Sequence, residues 1–293
     1  MEKTVIEVKN LRKYFGKTKA VDGISFDVVK GEIFGFLGPN GAGKSTTIRC
    51  LMDFIRPTSG TVSILGLDSF KDSVEIKKQL GYLPGNVKLY QKWTGNDHIS
   101  FIESIRGQSK NVQSLIKRLD FDPTKKVKTL SSGNNQKLGL ILSLMHNPKV
   151  LIMDEPTVAL DPLLQNEIYS ILDELKKNGT TVFMSSHNLP EVERVCDRAG
   201  IIKDGRLVGI ENIEELYKKK IRKIEIRFKQ KFHKNDFKLK DVEIVQDLPD
   251  GLVINVKGDI NPLIKSVSKY NISDIEIAHA TLEDVFLEFY GKK

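Results

Sequence analysis

Residues 32–45 read EIFGFLGPNGAGKS. Glu32 to Leu37 is a nearly continuous apolar run bounded by Gly31 and Gly38, the pattern of a strand buried on both faces. Gly38-Pro39-Asn40-Gly41-Ala42-Gly43-Lys44-Ser45 fits GxxxxGK[ST], and Ser45 to Phe54 reads as a helix. Strand, glycine loop and helix in this order make an anion cradle. Glycines let successive backbone N–H groups turn inward, and the helix N-terminus adds positive partial charge. Lys44 is then placed to reach phosphate oxygens, and Ser45 to ligate Mg²⁺.

Outward from this loop the chain alternates. Thr4 to Val8, Ile24 to Val28, Thr61 to Ile64, Val150 to Met153 and Thr181 to Met184 read as strands, the last two buried on both faces. Gln136 to Met145, Leu163 to Lys177 (stopping near Gly179) and Pro190 to Cys196 read as helices. Alternation of this kind predicts an α/β domain with a largely parallel sheet. Thr94 to Leu119 is mostly helical and breaks the rhythm, so a helical subdomain is expected over about 86–145. After Tyr217 the pattern changes. Arg222–Phe228, Val242–Val245, Leu252–Val256 and Ile272–Ile277 read as strands, with Pro249-Asp250-Gly251 as a turn. Pro262–Tyr270 and Leu282–Tyr290 read as helices. The expected organisation is an α/β domain over 1–217 and a small α+β domain over 218–293.

Composition narrows the classes. Forty per cent hydrophobic residues suffice for a packed core. Two cysteines, Cys50 and Cys196, make no disulfide framework, and without a CxxC pair a cysteine zinc site is not expected. The opening MEKTVIEVKN lacks the apolar stretch of a signal peptide. The longest near-apolar run, Leu138 to Met145, falls far short of the ~20 residues of a spanning helix. The net charge of +8 is concentrated: Lys218 to Lys240 holds eleven Lys/Arg against two acids, a surplus of nine, which leaves the remainder at −1. Such a run is ordinarily a solvated surface, with anionic lipid or nucleic acid as the alternatives.

Three further segments carry chemistry. Val150 to Glu155 (VLIMDE) is an apolar strand ending in two acids, which a parallel sheet delivers to its ligand-binding edge. Asp154 is expected to hold a metal and Glu155 to polarise a water. Leu130-Ser131-Ser132-Gly133-Asn134 precedes an apolar helix as a serine cap or a phosphate-binding start. His187 follows the strand Thr181–Met184 through Ser185-Ser186.

Glycine loop, LSGGQ-like signature, hydrophobic strand with Asp-Glu, LD loop and histidine, in that order, resemble the ATP-binding cassette (ABC) family over about residues 4–217. The resemblance implies a P-loop nucleotide-binding fold, ATP and Mg²⁺. It implies that Phe15 (with Tyr14 as the alternative) stacks on adenine and that Gly38 through Thr46, including Asn40, Gly41, Ala42, Gly43, Lys44 and Ser45, is the Walker A loop. Asp154 matches the Walker B aspartate, Glu155 the general base, Asp161 the D-loop aspartate and His187 the switch histidine. Ser131 and Gly133 match signature residues that reach the γ-phosphate from a second subunit. The sequence departs from the family pattern at Gly85, where a Gln is usual, at Ser132 and Asn134 in the signature, and at Val158 in the D-loop. These departures bear on rate and coupling. Lys44, Glu155 and His187 are all present, so hydrolysis is expected.

GYLPG, a signature ending in NNQK, and Ala280 to Phe286 (ATLEDVF) resemble the bacterial drug, bacitracin and peptide exporters, whose permeases are separate polypeptides. The implied partners are a multi-span permease and a second cassette, identical or paralogous, at the cytoplasmic face of the membrane; no nucleic acid is expected. The competing reading is a soluble ATPase of the same family acting on nucleic acid or ribosomes, with Phe228, Phe232 and Phe237 interleaved in the basic run. A P-loop kinase or GTPase leaves the signature and the histidine without a role.

Overall fold

The computed structural model describes residues 3–158, 160–218 and 221–279. The chain divides into two compact units, Met1–Ile210 and Glu211–Lys293.

The first unit opens with β1 (Thr4–Phe15), β2 (Thr18–Val29), β3 (Ile33–Leu37), α1 (Lys44–Leu51), β4 (Ser59–Ile64), β5 (Leu67–Asp68), α2 (Ser73–Lys78) and β6 (Leu80–Leu83). The helical insertion follows: α3 (Gly95–Arg106), α4 (Val112–Arg118) and α5 (Ser132–Leu144). Then come β7 (Val150–Asp154), α6 (Pro162–Lys177), β8 (Thr181–Ser186), α7 (Leu189–Val195), β9 (Arg198–Lys203) and β10 (Arg206–Asn212). The strands form two sheets. An antiparallel one runs β2-β1-β4-β5, and a six-stranded one runs β10-β9-β3-β8-β7-β6, with parallel pairing from β9 through to β6. Asp204 and Gly205, both at positive φ, make the two-residue turn between β9 and β10.

Every residue of β3 and β8 is buried, and so are the first four of β7. This is why they read as continuous apolar runs and not as alternating ones. Aromatic stacking joins the two sheets. Phe26 of β2 stacks on Phe34 at 5.6 Å and on Phe183 at 5.7 Å between centroids. Helix α6 buries Leu164, Ile168, Ile171 and Leu172, one stripe at helical spacing. Pro162 opens it, and Gly179 at φ +84 follows its end. The guanidinium of Arg118 on α4 grips Glu167, Ser170 and Glu174 of α6, tying the helical insertion to the α/β core.

The second unit contains α8 (Ile213–Lys218), β11 (Ile221–Phe228), β12 (Val242–Leu248), β13 (Gly251–Lys257), α9 (Asn261–Val267) and β14 (Ile272–His279). Its strands lie in the order β12-β13-β11-β14, all neighbours antiparallel. This is the order of a split β-α-β (ferredoxin-like) sheet, with the first crossover helix reduced to a 3₁₀ turn at Lys234–Phe237. Phe237, fully buried, fills that side of the core beside Phe228 and Tyr270. Phe228 and Phe237 are thus core residues, and the half-buried Phe232 packs against them. The closing helix expected over Leu282–Tyr290 lies outside the described residues.

Candidate active site

The loop after β3 is held at both ends. Gly38 N–H donates to the Ser186 carbonyl of β8 at 3.2 Å, and the Ala42 carbonyl accepts from Gly205 N–H at 3.0 Å. A Cβ on Gly38 would fall 2.5 Å from the Ile202 carbonyl, and one on Gly43 (φ +112) 2.5 Å from the Ala20 carbonyl. The loop can pass this close to its neighbours only without side chains. Gly43 caps α1, and Lys44 is its first residue. A cavity of about 170 Å³ opens over the loop, lined by Ala20, Asn40, Gly41 and Gly43 through Thr46, together with Glu155.

Lys44 is almost completely buried, and its Nζ donates to the Gly38 carbonyl at 2.7 Å and the Pro39 carbonyl at 3.2 Å. It also lies 3.2 Å from Glu155 Oε1. The other oxygen of that carboxylate, Oε2, is 3.2 Å from His187 Nδ1. Glu155 therefore stands between the P-loop lysine and the histidine. Three adjacent parallel strands bring them together: β3 leads to Lys44, β7 to Glu155 and β8 to His187. Glu155 has φ +50, a left-handed backbone that costs energy for a non-glycine residue. Its N–H is fixed in that turn by the Ser185 carbonyl and Oγ, each at 3.1 Å.

Asp154 ends β7, and Ser185 Oγ donates to its Oδ1 at 2.5 Å. Among the described residues no group of three or more His, Cys, Asp or Glu side chains is arranged to hold a metal. The expected donors, the Ser45 hydroxyl and the Asp154 carboxylate, suit Mg²⁺, which needs few protein ligands when phosphates and waters supply the rest. At the departure from the family pattern, Gly85 passes beside this strand end: an added Cβ would meet the Asp154 carbonyl at 3.0 Å.

The remaining sequence-selected residues lie outside this cavity lining. Ser131 Oγ caps α5 by accepting from Asn134 N–H at 3.3 Å, and Gly133 faces open space except for Leu160, 3.8 Å from an added Cβ. Asp161 Oδ1 caps α6 through Leu164 N–H at 3.0 Å. Phe15 is exposed, with Lys13 Nζ 4.9 Å from its ring centre, whereas Tyr14 donates from its hydroxyl to Asp22 Oδ1 at 2.5 Å. Tyr14 is thereby committed within the hairpin, and Phe15 is the aromatic with a free face. That bond and Arg206 hold the Asp22 carboxyl below its ordinary pKa.

Sequence reasoning gave no role to several groups the structure gathers here. Gln136 Nε2, in the signature helix, donates to the Pro156 carbonyl at 3.1 Å, just past Glu155. Glu191 accepts from Thr157 Oγ1 and Ser186 Oγ. For Glu191 the one local signal is Asn188 three residues before it, whose side chain caps α7 by accepting from Glu191 N–H.

Comparison with known proteins gives the family. Residues 21–158 match the family model described as ABC transporter. The bacitracin transport ATP-binding protein BcrA of Bacillus licheniformis is 32% identical over 303 residues, which cover 98% of this chain and 98% of that protein. The chain belongs to the ABC transporter family. Its cassette also resembles the linearmycin resistance ATP-binding protein LnrL of Bacillus subtilis, with 36% identity over 70% of this chain and 68% of that one. A solved ATP-binding subunit of an ABC transporter superposes with a TM-score of 0.68 at 27% identity, over 73% of this chain and 92% of that chain. The cassette binds ATP with Mg²⁺ and hydrolyses it.

Proposed function

We propose that this chain powers export of antimicrobial or drug-like molecules, amphipathic peptides or lipids among them, through a separate membrane permease. The cassette would occupy 1–217, with 218–293 as an accessory domain. The relatives named for bacitracin and linearmycin support the substrate class. The observation that carries the chemistry is the Glu155 carboxylate set between Lys44 and His187.

In this reading Phe15 stacks on adenine, and the N–H groups of Gly38 through Thr46 with Lys44 Nζ hold the phosphates. Ser45 and Asp154 hold Mg²⁺, which neutralises phosphate charge when bound. Glu155 Oε1 accepts a proton from the attacking water as its oxygen bonds to the γ-phosphorus and the bond to the ADP oxygen breaks. His187 holds Oε2, so the carboxylate cannot rotate away from the water. Ser131 and Gly133 of a second cassette close over the γ-phosphate, with Asp161 at the same junction; in one chain they lie outside the cavity lining. Closure on ATP and opening after hydrolysis give the permease two states to follow.

The permease-facing surface is assigned to the helical insertion and the loop before it. Tyr90 and Phe101 are exposed there and pack against Trp93, with ring centres 4.6 and 5.6 Å apart and the Phe101 ring edge-on. Beside α3 a cavity of about 310 Å³ is lined by Phe54, Lys77, Tyr82, Ile102 and Arg106 among others. No helix of the described residues is long and apolar enough to cross a membrane; in this reading the permease holds the chain at the membrane. Affinity purification of the tagged chain from membranes extracted in mild detergent tests this. A multi-span protein at near-equal stoichiometry is expected; recovery with ribosomes or nucleic acid would overturn the reading.

A further inference from the structure

Glu191 is a carboxylate on the first turn of α7, only 3% exposed. A buried charge is tolerated only when its oxygens are hydrogen-bonded, and here both are. Thr157 Oγ1 donates to Oε1 at 2.7 Å and Ser186 Oγ donates to Oε2 at 2.6 Å. Thr157 lies two residues past Glu155, and Ser186 immediately precedes His187. One side chain thus grips both segments that deliver the hydrolytic pair. The Ser186 carbonyl, in turn, accepts from Gly38 N–H at the start of the P-loop.

The base of this grip is rigid. Helix α7 packs on β3 at Gly35, where an added Cβ would lie 2.8 Å from Val192 Cγ1 and 2.9 Å from Cys196 Sγ. Around the carboxylate a second cavity, of about 210 Å³, is lined by Glu155, Thr157, Gln165, Ser186, His187 and Glu191 among others. Glu155 lines both this cavity and the one over the P-loop. Glu191 is absent from the P-loop cavity lining, so its effect on ATP passes through Glu155 and His187.

We propose that Glu191 is a positioning residue of the hydrolytic site: by holding Thr157 and Ser186 it sets the spacing of Glu155 and His187 without touching the nucleotide. This rests on the reading of Glu155 as proton acceptor. The two bonds also say which replacement restores function. An amide at 191 keeps both contacts, because one hydroxyl donates to its oxygen while the other rotates to accept from its NH₂. An alanine keeps neither.

The test is steady-state ATPase of the full chain over a range of ATP, with affinity for a non-hydrolysable ATP analogue and thermal unfolding measured alongside. Glu191→Ala is expected to lower kcat about tenfold or more, as displaced catalytic groups do, with KM and analogue affinity within about twofold of the parent. Glu191→Gln is expected to recover most of that kcat. An Ala variant with parental kcat overturns the proposal. So does a Gln variant no better than Ala when both lose kcat, affinity and melting temperature together, because that pattern is packing alone. If the Ala variant does not fold, Thr157→Val decides: lower kcat at unchanged KM supports the role, and unchanged kcat overturns it. Glu155→Gln is run in parallel. Parental turnover there removes the proton-acceptor reading and the role of Glu191 with it, whereas slow Glu155→Gln beside fast Glu191→Ala removes Glu191 alone.

Discussion

Glu155→Gln should strengthen nucleotide binding while it stops turnover. The substitution removes a negative charge 3.2 Å from Lys44 Nζ, where the lysine is 5% and the glutamate 23% exposed. At an effective dielectric of ~20 the attraction across that distance is about 5 kcal/mol. Desolvation and side-chain ordering leave partly exposed pairs with about 1 kcal/mol net. An incoming phosphate competes with Glu155 for Lys44, so that net term opposes binding in the parent and vanishes in the variant. The expected gain is about fivefold in Kd for a non-hydrolysable ATP analogue with Mg²⁺. At the same time kcat should fall about 10²- to 10⁴-fold, the usual contribution of a positioned proton acceptor. Calorimetric titration gives the first quantity and phosphate release the second. Affinity that is unchanged or weaker refutes the competition for Lys44, whatever happens to turnover. A kcat within about threefold of the parent refutes the proton transfer.

Gly38→Ala places a Cβ 2.5 Å from the Ile202 carbonyl. The loop must move, and analogue affinity should drop about tenfold or more, read by the same titration; parental affinity would mean the loop has slack the packing does not show. Phe237→Ala empties a fully buried site in the second unit and should cost about 3–5 kcal/mol. Hydrogen exchange at the amides of β11 and β13 should then quicken by about 100-fold or more, and unchanged protection would contradict the core assignment. Burial pushes the Glu32 carboxyl up to about 7 against the pull of Arg198. With its folded pKa above the unfolded value, the folded state holds the extra proton. Its stabilising contribution is complete below about 4.5 and is lost as pH rises through about 7, a change of about 3 kcal/mol. Urea unfolding should therefore find Glu32→Gln more stable than the parent at pH 8, with the gap closing towards pH 4.5; a gap independent of pH would exclude the ionisation.

The loop after β3 was legible because its geometry is local: strand, glycine turn and helix are consecutive, and Gly38 and Gly43 lie where a Cβ would meet a carbonyl. The buried strands Val150–Met153 and Thr181–Met184 were legible because a two-sided burial leaves no polar position. Strands β1 and β2 run longer than the expected Thr4–Val8 and Ile24–Val28, because their outer halves carry polar residues on a half-exposed ladder with register shifts. The four-residue β6 gave too short a run to distinguish from a loop. For Glu191 the sequence offered only the Asn188 cap three residues before it, which marks a helix start and not a bridge. Its partner Thr157 is 34 positions away, and only the packing of α7 against β3 makes a helical glutamate into a bridge between two loops.

The level ends of β3, β8 and β7 set what lengths of chain this protein can tolerate. Leu37 is paired with Ser186, and Ser185 with Asp154, so the three loops leave the sheet from one line. One residue inserted into β8 would carry His187 about 3.3 Å along the strand and turn alternate side chains to the opposite face. The stretch between α3 and α4, residues 107–111, contributes nothing to that line and can lengthen without shifting it. Variation in length among such cassettes is therefore expected to gather in the helical insertion, leaving fixed the strand spacings that bring Lys44, Glu155 and His187 together.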